Sequence, residues 1–82
     1  EEAGRHEVYE LFLAAGGELA SAPHTRGARE HLTISEGAVE VTSGETVERL
    51  AAGDTARYAA DVVHRIAVVV GPVRAFLVVQ DA

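Results

Sequence analysis

Four side chains in this sequence carry types and spacing that could do chemistry: His24, Arg26 and Glu30 in one short run, and His64 far downstream, preceded by Gly53-Asp54. Two imidazoles and a carboxylate delivered from separate strands can hold a divalent metal ion or a polar ligand in the mouth of a small β-barrel. Arg26 stays cationic and cannot ligate a metal. Its planar fork can instead anchor a carboxylate or phosphate on a ligand, or pair with Glu30 and take the place of a metal's charge. The candidate metal set is therefore His24, Glu30 and His64, and the candidate ligand-binding set adds Arg26.

The elements that must position these groups are β-strands. Runs rich in Val, Leu, Ile, Thr and Tyr alternate with turn residues, which predicts strands near Glu7–Leu13, Arg29–Ser35, Ala38–Thr42, Thr46–Leu50, Asp54–Tyr58, Val63–Val70 and Val73–Val79. Breaks fall at Gly16-Gly17, Ser21–Gly27, Glu36-Gly37, Ser43-Gly44, Ala51–Gly53, Ala59–Val62 and Gly71-Pro72. Apolar positions alternate with period two and no long helix is expected. Short turns in a meander-like order predict an all-β fold, a small antiparallel β-barrel or jelly roll, which protects strand edges.

Strand parity then orients the polar residues. Glu30 shares a face with Leu32 and Ile34, and His64 shares one with Ile66, Val68 and Val70, so both are expected to point into the apolar interior. An unpaired buried carboxylate costs several kcal/mol, so Glu30 needs a partner. His31 falls on the opposite face and is expected at the surface or an interface. His6 has no implied partner. Tyr9, Phe12, Tyr58 and Phe76 read as core or interface residues. Asp54 and Asp61 are expected to bond local backbone N–H groups. No Ser/His/Asp arrangement and no phosphate-cradling glycine loop are present.

Composition limits the rest. The 82 residues make one thin-cored domain. The net charge is −6 and the basic residues are scattered single arginines, including Arg5, Arg49, Arg65 and Arg74, so this segment makes a poor nucleic-acid binder by itself. There is no Cys, which rules out thiolate metal sites and disulfides. No apolar run reaches a membrane span and no membrane partner is expected. A chain that opens at Glu1 without any Met is expected to be a domain cut from a longer polypeptide.

The motifs resemble those of the cupin family. Its first motif, G-x5-H-x-H-x3/4-E-x6-G, is matched by His24-x-Arg26-x3-Glu30-x6-Gly37, with Arg26 in place of the second histidine and Gly17 one residue out of register. Its second, G-x5-P-x-G-x2-H-x3-N, is matched in spacing by Gly53-x5-Ala59-x-Asp61-x2-His64-x3-Val68, without the Pro, second Gly and Asn. The runs His24–Leu32 and Leu50–Tyr58 resemble in particular the C-terminal cupin of Xre-type helix-turn-helix transcriptional regulators. That resemblance implies a cytoplasmic, small-molecule-sensing barrel that dimerises and reaches DNA through an N-terminal head lying outside this segment. A metal-free pocket is the preferred expectation, because Arg26 breaks the family's ligand set; the alternative is one divalent ion (Zn, Fe, Ni or Mn) on His24, Glu30 and His64. The rival functions are a metal-dependent cupin enzyme, a dioxygenase or isomerase, and a ligand-free dimerisation barrel.

Overall fold

A computed structural model describes residues 6–81; Arg5 lies outside them. It contains six strands: β1 (His6–Leu13), β2 (Glu18–Ser21), β3 (Arg29–Ser43), β4 (Thr46–Ala51), β5 (Thr55–Ala59) and β6 (His64–Gln80). All pairings are antiparallel, and the fold is the all-β barrel-like jelly roll expected from the sequence.

Two long strands organise everything else. β3 and β6 pair along their full lengths, from Arg29↔Gln80 to Ser43↔His64. The first half of β3 also pairs with β5, and its second half with β4. The second half of β6 carries β1, and its first half carries β2. One sheet half is thus β1-β6-β3-β5 and the other β2-β6-β3-β4, and their inner faces share a single apolar cluster. Leu32, Ile34 and Val39 are its most completely buried large side chains, joined by Val41, Ile66, Val73, Leu77 and others. Each such side chain contributes about 1.5–3 kcal/mol by leaving water.

Several expectations are corrected here. The runs at 29–35 and 38–42 form one strand, and so do those at 63–70 and 73–79. The glycines between them bend the strands without ending them: the β3–β6 register shifts between Ile34 and Val39, a bulge that turns the strand while pairing resumes beyond it. Gly37 sits in the shift at φ +83°, and a Cβ there would lie 2.6 Å from the carbonyl oxygens of both Val70 and Pro72. Only glycine permits that approach. The meander order also gives way, since β3 pairs with β6 across the chain and not with a sequence neighbour alone. The short strand β2 is absent from the sequence expectation; with four residues, three of them exposed, it carries too little pattern to be read.

Candidate functional site

Glu30 is the second residue of β3 and, as parity requires, points inward with Leu32 and Ile34. His64 is the first residue of β6 and also points inward. Both are buried, at 3% and 2% exposure. His24 comes from the loop between β2 and β3, and its exposed side chain reaches the same point. That loop is held by its backbone: the His24 N–H donates to Ala60 O (2.8 Å), and the Gly27 N–H donates to Asp61 Oδ2 (2.9 Å). Asp61 therefore ties the His24 loop to the loop preceding His64, a long-range task in place of the local one expected of it. Asp54 does bond locally, accepting from the Ala51 N–H at 2.9 Å.

The three groups converge on one carboxylate. His64 Nε2 lies 3.0 Å and His24 Nε2 3.3 Å from Glu30 Oε2. The other oxygen, Oε1, accepts a hydrogen bond from the Tyr58 hydroxyl at 2.6 Å. Tyr58, expected from sequence only as a core or interface residue, is thus part of the site. Its role follows from register, because Tyr58 stands directly opposite Glu30 on β5 and neighbouring side chains on one face meet. The alternation Ala56, Tyr58, Ala60 marks the inward face of β5, but the β3–β5 register is not legible in a single sequence. Burial, reinforced by the bond to Glu30 and by its negative charge, pushes the Tyr58 phenol well above its usual 10.0, so it remains a proton donor.

Proton positions define what this cluster can accept. His64 Nδ1 lies 2.8 Å from Val62 O. A carbonyl oxygen only accepts, so Nδ1 carries the hydrogen and a neutral His64 turns its Nε2 lone pair toward Glu30. Two acceptors 3.0 Å apart require something positive between them, either a proton or a metal ion. A backbone carbonyl that fixes the far nitrogen is the usual way a metal-binding histidine is oriented.

The donor set fits a metal. One ligand atom from each of His24, Glu30 and His64 lies within 4.8 Å of the others. Bonds of about 2.0–2.1 Å in a tetrahedral site separate ligand atoms by about 3.3 Å, close to the spacing of these nitrogens from the carboxylate. A divalent ion held by these residues would act as a Lewis acid and a point of attachment for a ligand oxygen or nitrogen. Arg26 does not join them. It is exposed in the turn after His24, and Glu30 takes its partners from His24, His64 and Tyr58. The expected alternative in which Arg26 pairs with Glu30 is thus replaced by the Tyr58 hydroxyl and the two imidazoles. His31 faces outward, as expected, with Nε2 3.4 Å from Gln80 Oε1.

A cavity of about 220 Å³ opens beside the cluster between β1, β2, β3 and β6. Leu11, Leu19, Leu77 and Val79 line it, with Glu7, Tyr9, Ser21, His24 and Glu30 as its polar groups. Arg26 is outside this lining.

No family model and no curated protein sequence matches the chain. Solved structures do. An HTH_3 family transcriptional regulator from Vibrio cholerae superposes with a TM-score of 0.88 at 26% identity, over 94% of this chain and 43% of that one. The Cupin_2 domain of an XRE family transcriptional regulator from Enterobacter cloacae matches at TM-score 0.80 and 22% identity, over 94% of this chain and 81% of that one. An RmlC-like cupin protein from Desulfovibrio desulfuricans matches at TM-score 0.77 and 17% identity, over 98% of this chain and 76% of that one. This chain thus spans less than half the length of the Vibrio regulator. It has the cupin fold, and it resembles the cupin domains of helix-turn-helix regulators of the XRE type.

Proposed function

We propose that this chain is the effector-sensing domain of a transcriptional regulator, taking a small molecule into the cavity beside Glu30 and passing the event to a DNA-reading head elsewhere in the polypeptide. The observation that carries the reading is a buried carboxylate ringed by His24, His64 and Tyr58 and lining an apolar cavity, in a fold shared with a helix-turn-helix regulator. Burying that many polar groups against Leu11, Leu19, Leu77 and Val79 gives orientation and selectivity to a ligand whose body is apolar. At about 220 Å³ the space suits a compact metabolite and excludes most drug-sized ones, whose sites run to about 300–1,000 Å³. The partners that follow are a small effector and DNA through the head; the site of action is the cytoplasm.

The test is a fusion of this chain to a helix-turn-helix head of known operator, read by a reporter gene across a metabolite library. Reporter output that responds to a compound, and loses the response in Leu77→Trp, which fills the cavity, supports the reading. A reporter indifferent to every compound, from a fusion that binds its operator, overturns it. The His24–Glu30–His64 spacing also favours a second reading, a metal-dependent cupin enzyme. That reading requires turnover of a small molecule by the isolated chain, abolished by a chelator and restored by a divalent ion.

A further inference from the structure

The charge that lines the cavity is negative. β1 and β3 flank β6, and Glu7 and Glu30 both pair with Val79, so the three form one row across the inner face. Two strand spacings set the Cα atoms of the carboxylate residues about 9–10 Å apart, on either side of one valine. No arginine lines the cavity. Among the described residues, the arginine ion pairs go to Glu40, Glu18 and Glu36 elsewhere, and Arg26 lies in an exposed turn beyond the lining. A third acid stands near the rim. The bond from the Tyr9 hydroxyl to Glu7, and after it desolvation and the charges of Glu7 and Asp81, hold the Tyr9 phenol above its usual 10.0.

Hydrogen bonding gives a second, separate indication. The Tyr9 hydroxyl donates to Glu7 Oε1 at 3.0 Å, the Tyr58 hydroxyl to Glu30 Oε1 at 2.6 Å, and the Thr25 hydroxyl to Asp81 Oδ1 at 3.0 Å. Each of these protons is spent on a carboxylate. What remains toward the space is lone pairs on the Tyr9 oxygen and on the Glu7 and Glu30 carboxylates. A ligand that fills it has to bring both donors and positive charge.

We infer that the effector is a small organic cation, a protonated alkylamine whose ammonium group is held over the Glu7–Val79–Glu30 row while its chain lies against Leu11, Leu19 and Leu77. The inference rests on the sensing reading above, and it reverses the expectation that Arg26 selects a carboxylate or phosphate. An ammonium offers three donors to the acceptors present. An anion in the same place meets carboxylates and no guanidinium to pair with it. The volume of about 220 Å³ equals the share of roughly seven water molecules in the liquid, which suits an amine of about four to six carbons.

The test is a titration of the chain in EDTA at neutral pH with pentylamine, pentanol and pentanoate, followed by NMR at the Leu77 and Val79 methyl groups. The amine is protonated there, as lysine is. Pentylamine is expected to bind at least about tenfold more tightly than either analogue, since a hydrogen bond to a charged group outweighs a neutral one. Pentanol binding equally well overturns the inference, because charge then selects nothing. Pentanoate binding better also overturns it, and leaves a sensor of anions. If none binds, the cation falls, while the reporter fusion still decides separately whether the domain senses anything. Glu7 is exposed and Glu7→Gln keeps an acceptor for Tyr9, so that variant is expected to fold and to weaken the amine about two- to fivefold. Glu7→Lys, which puts a cation at the rim, is expected to weaken it further; an amine affinity indifferent to both variants overturns the inference.

Discussion

Glu30→Gln separates the two ways in which the buried cluster can be held together. In the wild-type chain Glu30 accepts from Tyr58 at 2.6 Å on one oxygen and meets His64 Nε2 at 3.0 Å and His24 Nε2 at 3.3 Å on the other. With His64 Nδ1–H committed to Val62 O, glutamine satisfies the whole set without charge: its Oε1 accepts from Tyr58, and its two amide hydrogens go to the two imidazole lone pairs. The substitution removes the desolvation cost of a carboxylate that is 3% exposed and keeps three hydrogen bonds. The metal-free variant should therefore be as stable as the wild type or up to about 2 kcal/mol more stable. For a domain of this size that is a rise of up to roughly 8–16 °C in melting temperature. The assay is urea unfolding in EDTA at pH 7.5, followed by circular dichroism, and then repeated with zinc. Zinc at about 100 times its Kd should stabilise the wild type by about 2.7 kcal/mol and leave the variant unmoved. A loss of more than about 3 kcal/mol in EDTA would refute the reasoning, because it is the cost of stranding a buried imidazolium, with His64 carrying both protons.

Tyr58→Phe deletes a hydrogen bond to a buried carboxylate and should cost about 1.5–3 kcal/mol at neutral pH by urea unfolding. The Tyr58 phenol is raised above its unfolded value of 10.0, so its stabilisation is complete below pH 10 and drains away as pH climbs beyond it; the variant should show a flatter alkaline decline. Arg26→Ala, at an exposed turn outside the cavity lining, should change stability by less than about 0.5 kcal/mol and divalent-ion affinity by less than about twofold in calorimetric titration. Gly37→Ala drives a Cβ to 2.6 Å from two carbonyl oxygens at φ +83°, and should cost more than about 3 kcal/mol or prevent folding, read by thermal melting.

The fold and the inward placing of Glu30 and His64 are legible in the sequence through parity. Alternation alone places Glu30 and His64 inside, and the motif spacing shared with the cupins adds His24 to them. What parity cannot supply is register. Tyr58 is visible as an inward aromatic, yet its pairing with Glu30 depends on which residue of β5 stands opposite β3, and many shifts of two residues preserve the same inward face. Arg26 is misplaced by sequence reasoning for a related cause. It lies in a turn, where no periodicity aims a side chain, and the long-range bond from Gly27 to Asp61 decides how that turn sits. The merging of four expected strands into β3 and β6 has the same origin, since a glycine that bends a strand and a glycine that ends one look alike in sequence.

β6 carries one wall of the cavity on its inner face and an apolar row on its outer face. Leu77 and Val79 face the cavity, and between and beside them Phe76 and Val78 face outward, so one strand carries both walls. A ligand can shift an equilibrium between two states only by the difference in its affinity for them. Close packing limits how far Leu77 can shift without displacing Phe76, because a strand held by ladders to both β1 and β3 moves as a unit. The cluster on Glu30 sits at the fixed end of this arrangement. His64 opens β6 and Glu30 stands near the start of β3, where the opposite end of β6 pairs with it, so the contact between them clamps one long strand to the other's far terminus. A metal ion or a proton on that clamp would change the charge where the start of β6 meets the start of β3.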